Sequence, residues 1–193
     1  KKCANLGHMT RKSLAVPPGF AISLDAYRLF VKESGLASEM EQYVQKFGDL
    51  KGQGITVFDQ MSQTLRNMIE AREIPENLKT QIIGYYKELS SRLGVDSPAV
   101  SVRSAGTESR PGMFETYLNV KGQEDLLEKV KKVWASAYTS RAIAFRANKG
   151  FPIIGDELGV AIPKMVNARA SGITFTVDPV TADDSKILLE ANW

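Results

Sequence analysis

Apolar residues in the first hundred positions recur at the three-and-four spacing of a buried helix face. Phe58, Met61, Leu65, Met68 and Ile69 form one such stripe, and Leu78, Ile82, Tyr86, Leu89 and Leu93 form a second. Pro75 suits the first turn of that second helix, and Gly94 suits its stop. Ser23 is placed to cap a helix running to about Ser34, which Gly35 would end. Between these signals, "AVPPGFAI" carries Pro17-Pro18-Gly19, which excludes helix and predicts a strand after a turn. Residues 1–98 therefore read as mainly helical.

The period shortens from residue 99 onward. "AVSVR" and "TYLNV" read as strands on either side of a loop rich in small residues. Glu124 to about Ala147 reads as one amphipathic helix, with Leu126, Leu127, Val130, Val133, Trp134, Ala137 and Tyr138 on a single face. "ELGVAIPKMV" and "SGITFTVDPV" suggest a hairpin turning at residues 167–170, and "KILLEA" a third strand of the same meander. The expected class is α+β, with a helical part over 1–98 and a mixed part over 99–193.

Composition narrows the function without naming it. The 193 residues are 43% hydrophobic and 24% charged, with a net charge of +3. The basic residues are scattered, so nothing predicts a nucleic-acid surface. Cys3 is the one cysteine, which excludes a disulfide framework and a cysteine-built metal site and fits the cytoplasm. No apolar run approaches membrane-spanning length, and the N-terminus lacks the apolar core of a signal peptide. The chain stops in the apolar segment "KILLEANW", so it reads as a piece of a longer protein.

Candidate chemistry gathers in "VSVRSAGTESRPGMFETYLNV". Arg103 ends a strand, and Ser104, Gly106, Thr107, Ser109 and Gly112 follow with amides and hydroxyls that carry little bulk. Thr116 offers a further hydroxyl. Planar guanidinium donors beside oriented amides are how proteins cradle phosphate groups. The competing reading is a surface ion pair from Arg103 to Glu108 or Glu115. Arg141 poses a similar choice: on a continuous helix it lies on the apolar stripe, either snorkelling or making a second anion contact. Lys164 alternates with Val160, Ile162 and Val166, while Pro163 implies an edge strand or a backbone that faces a ligand. Lys2, beside a turn at Asn5-Leu6-Gly7, is another potential anion ligand. His8 stands without a carboxylate or cysteine cluster, and the Asp178, Asp183 and Asp184 run fits a solvated turn.

Taken in order, these segments resemble the N-terminal nucleotide-binding domain of the phosphoenolpyruvate synthase/pyruvate phosphate dikinase family. The opening "KKCANLGHM…VPPGF" is similar to that family's GGKGANLGEM-type start. "VSVRSAGTE", "ETYLNV", "VWASAYTSRAIAFR" and "KMVNARASGITFTVDPVT…ILLEANW" follow in the family's order. The resemblance implies an ATP-grasp-like fold using ATP and Mg²⁺. It also implies transfer of the β-phosphoryl group to a histidine on a separate swivelling domain, in the same or another chain, and then to pyruvate. By the same resemblance Lys2, Arg103, Gly112, Thr116 and Arg141 hold the phosphates. Ile162, Lys164 and Met165 lie along the strand that reads adenine, and Glu190 approaches Mg²⁺. Pro163 stands where the family commonly has glutamine, and His8 where it has glutamate, so His8 is not the phosphocarrier. The short "SRPGM" loop also fits a phenylphosphate synthase-type relative acting on a phenol, whose ATP-binding part is a separate chain. A non-catalytic nucleotide-binding module is the remaining alternative. Acidic metal ligands are expected beyond residue 193, so the fragment alone is expected to bind ATP poorly.

Overall fold

A computed structural model describes residues 2–106 and 113–193. The chain runs through α1 (Lys2–Arg11), β1 (Gly19–Ile22), α2 (Leu24–Glu33), α3 (Leu36–Gln45), α4 (Ile55–Ala71) and α5 (Glu76–Leu93). It continues with β2 (Val100–Ala105), β3 (Thr116–Val120), α6 (Gln123–Ala135), α7 (Ser140–Lys149), β4 (Gly159–Pro163), β5 (Ser171–Phe175) and β6 (Leu188–Asn192). The class is α+β, as the changing period predicts.

Local signals fix the early helices. Ser23 Oγ accepts the amide of Ala26 at the start of α2, and Gly35 takes the left-handed conformation, φ 68°, after its last turn. Gly94, φ 64°, closes α5 in the same way. Asn5-Leu6-Gly7 is not a turn but lies inside α1, because an isolated glycine is tolerated in a helix at modest cost.

Four strands form one antiparallel sheet in the order β1-β4-β2-β3. β4 pairs with β1 and β2, both far from it in sequence, and the sheet draws β1 from the helical half. The expected hairpin between β4 and β5 does not form: β4 sits between β1 and β2, while β5 pairs with β6 in a separate ribbon. Pro163 is likewise not on an edge strand. It is the last residue of a central strand, where a missing N–H costs least. Pairing with β2 is interrupted there and resumes at the Val100–Lys164 bridge.

One face of the sheet builds the core. Val100, Val102, Val160 and Ile162 are buried against α6, whose Leu126, Val130, Val133 and Trp134 meet them from above. Trp134 is fully buried and stacks on Phe30 of α2 with ring centroids 4.8 Å apart. Its indole N–H has no hydrogen-bond partner among the described residues. α4 packs against both α6 and α7.

The long helix expected over 124–147 is broken. A 3-10 turn at Ser136–Tyr138 follows α6, and Thr139 then becomes extended, ψ 150°. Its hydroxyl caps α7 by accepting the amide of Ala142. Cap chemistry, not apolar spacing, sets this boundary.

Candidate functional site

The other face of the sheet has a different chemistry. Alternation along each strand places Gly19 and Ala21 of β1, Gly159, Ala161 and Pro163 of β4, and Ser101, Arg103 and Ala105 of β2 on it. Two glycines are required by close packing. A Cβ on Gly159 would stand 2.9 Å from the carbonyl oxygen of Ile22 and 3.0 Å from that of Ala105. One on Gly19 would meet the Ile162 carbonyl oxygen at 2.4 Å. Such small residues keep this face low, so a ligand can approach the backbone.

Arg103 rises from the middle of this surface. Register places it directly between Thr116 of β3 and Ala161 of β4, with Ala21 one strand further. Cross-strand neighbours share a face, so a guanidinium, a hydroxyl and two alanines form one row. Both Arg103 and Thr116 are exposed. Glu115 does not pair with Arg103: it is engaged by Arg66 of α4 at 3.0 Å and by the Tyr117 hydroxyl. Burial and that contact push the Tyr117 phenol well above its ordinary value. Glu108 lies outside the described residues. Among those described, Arg103 has no hydrogen-bond or ion-pair partner.

A cavity of about 410 Å³ adjoins the row. Its walls are Leu6, Gly7 and Thr10 of α1, the Val16-Pro17-Pro18 turn, and Gly19, Ala21, Ala161 and Pro163 of the sheet. That volume falls in the range of small-molecule sites.

The other expected residues are more dispersed. Lys2 opens α1, but its side chain lies outside what the structure describes; Gly112, Thr107 and Ser109 are likewise outside the described residues. Ser104 does not face the row: it is 7% exposed on the core side, paired with Val160. Arg141 is not on the stripe of α6, because the break at Thr139 reorients the chain. It is exposed in the first turn of α7. Ile162 points fully into the core. The amides of Lys164 and Met165 donate to the carbonyls of Pro18 and Ala99 at 2.8 Å each, so neither N–H is open to a base. Glu190 is exposed in β6, opposite Ile173. No group of three His, Cys, Asp or Glu able to hold a metal occurs among the described residues. Mg²⁺ needs one or two carboxylates when phosphates complete its shell, so a single glutamate fits that limited role.

Sequence reasoning missed the one arginine that is buried among the described residues. Arg146 of α7 is 2% exposed, paired with Asp156 and donating to the Ala137 carbonyl at 2.8 Å. Its guanidinium also lies 5.8 Å from the Tyr138 ring centroid. The Tyr138 and Tyr27 hydroxyls meet at 3.5 Å, and burial raises both phenols. This network braces the segment that leads into β4. Its sequence signal was the arginine five residues after Arg141, which reads as surface on an unbroken helix.

The amino-acid sequence matches a known family over its full length. Residues 1–193 match the pyruvate phosphate dikinase, AMP/ATP-binding domain family, and the chain belongs to it. Among its relatives, the phosphoenolpyruvate synthase of Aeropyrum pernix is 36% identical over the whole chain, which covers 24% of that protein. A probable phosphoenolpyruvate synthase of Methanocaldococcus jannaschii is 37% identical, again over the whole chain and 16% of its own length. One from Archaeoglobus fulgidus is 36% identical over 98% of the chain and 25% of the relative. The chain thus spans about a quarter or less of these relatives. No helix among the described residues is long and apolar enough to cross a membrane.

Proposed function

We propose that this chain is the ATP-binding part of a dikinase-type phosphotransferase, its 1–98 and 99–193 parts forming one ATP-grasp-like unit. In this reading the β-phosphoryl group of ATP passes to a histidine on a swivelling domain, in the same or another chain. AMP leaves as the α–β bond breaks, water takes the γ-phosphoryl group as free phosphate, and the phosphoryl group left on the histidine moves on to pyruvate in the cytoplasm. The observation that carries the reading is Arg103: a guanidinium without a partner among the described residues, beside Thr116, on a sheet face kept low by glycine and alanine.

The chemistry asked of these residues is alignment and charge neutralisation, because phosphoryl transfer leaves the protein little covalent work. Arg103 offers a bidentate fork to the polyphosphate. Thr116 donates a hydroxyl from the neighbouring strand, and Arg141, Lys2 and Gly112 complete the phosphate contacts. Mg²⁺ would arrive with the phosphates and take Glu190 as a carboxylate, neutralising charge when bound.

Replacing Arg103 by alanine tests this directly in the intact protein. AMP formation should fall by at least about 100-fold, with the unfolding midpoint unchanged, as befits an exposed side chain. Wild-type AMP release in that variant would remove the assigned role.

A further inference from the structure

The cavity beneath α1 is uneven in its chemistry, and the role inferred for it rests on the nucleotide reading. Its sheet wall and the Val16-Pro17-Pro18 turn are uncharged, and of the described residues lining it only Arg92 carries a charge. Arg92 lies in the last turn of α5, just ahead of the left-handed Gly94, and is exposed. Among the described residues it has no hydrogen-bond or ion-pair partner. The cavity also has a direction. Ala161 borders Arg103 across the sheet, and from there the lining follows β4 to Pro163 and β1 back to Gly19. Polyphosphate held at Arg103 and Thr116 therefore leaves the rest of the nucleotide to run away from the row, into the cavity.

An uncharged wall of proline, glycine and alanine suits a flat, weakly polar group rather than a phosphate. A planar, weakly hydrated guanidinium on the rim of such a wall is suited to stacking on a ring face. The sheet amides of Lys164 and Met165 are already used, which removes two backbone donors that would otherwise read a base nearby. We propose that Arg92 stacks on the purine base of the bound nucleotide, opposite the small residues of β1 and β4. It is then a base-binding residue, separate in role from Arg103.

Calorimetric titration of the intact protein with adenosine, AMP and ATP separates the two arginines. Arg92→Ala should weaken all three ligands by the same factor, about fivefold, and Arg92→Lys should recover little because an ammonium cannot stack as a plane. Arg103→Ala should weaken ATP and leave adenosine unchanged. A loss in Arg92→Ala confined to ATP would make Arg92 a phosphate ligand and overturn the proposal, as would unchanged binding of all three. So would wild-type protein that binds ATP but no adenosine. Unchanged ATP binding in Arg103→Ala would instead remove the phosphate role of Arg103, and wild-type protein that binds neither ATP nor AMP would sink the nucleotide reading itself, whatever Arg92 does.

Discussion

The two faces of the four-stranded sheet come from the same strands and obey opposite rules. One face carries Val100, Val102, Val160 and Ile162, closed by α6; the other carries Gly19, Ala21, Gly159 and Ala161 around the Arg103 guanidinium. Alternation with a period of two permits this, since each residue's face is fixed by its register. What differs is the purpose of side-chain volume. On the core face volume excludes water and stabilises; on the other, its absence makes room. In the proposed reading, stability and ligand binding thus fall to neighbouring residues of one strand, Ile162 and Ala161.

The sharpest way to break this contrast is to remove volume from the core face. Ile162→Ala should cost about 3–4 kcal/mol, from a fully buried site enclosed by α6, measured by denaturant unfolding. A loss as small as that of an exposed residue would show that the core face is not carrying the fold. Arg146→Ala should come next, at about 2–3 kcal/mol, because it breaks an ion pair made by a guanidinium that is 2% exposed and leaves the volume of that side chain unfilled. It tests whether the brace behind β4 is structural: nucleotide affinity, referred to folded protein, should change far less than in Arg103→Ala. The smallest effect belongs to the solvent side of α6, away from both faces. There Lys132 at 2.7 Å, then Lys129 at 2.9 Å, hold the Glu128 carboxyl down to about 2. A depressed folded-state value means the contribution is complete above the unfolded value of about 4.5 and is lost as pH falls toward 2. Glu128→Gln should therefore lower stability at pH 7 by no more than about 0.5 kcal/mol, since the side chain is largely exposed, and the gap to wild type should close in acid. A gap that widened below about pH 4 would reverse the assignment.

How much of this was legible depended on how local each cause was. The caps at Ser23, Gly35 and Gly94 act within one turn, and the stripe from Phe58 to Ile69 depends only on helix geometry, so both could be read along the chain. The break at Thr139 could not, because Val133, Trp134, Ala137 and Tyr138 keep their spacing across it while a single hydroxyl redirects the backbone. The misplaced hairpin has a related origin: adjacency in sequence favoured β5 as the partner of β4, whereas distant β1 and β2 take that place. Arg103 was conspicuous as a charge after valines. That it stands beside Thr116 and Ala161 is a matter of register between strands, which no single segment records. Arg92 gave no signal at all, since it reads as an ordinary cation near a helix end.

Trp134 has a consequence for how the molecule can be watched. Its ring is sealed from water, stacked on Phe30, and its indole N–H meets no acceptor among the described residues. An indole in such surroundings emits at short wavelength and is shielded from soluble quenchers. It lies where α2 and α6 close over the core face of the sheet, remote from the small-residue face. Its emission is therefore an optical gauge of packing that nucleotide binding should leave unaltered, while any loosening of the core would shift it to the red.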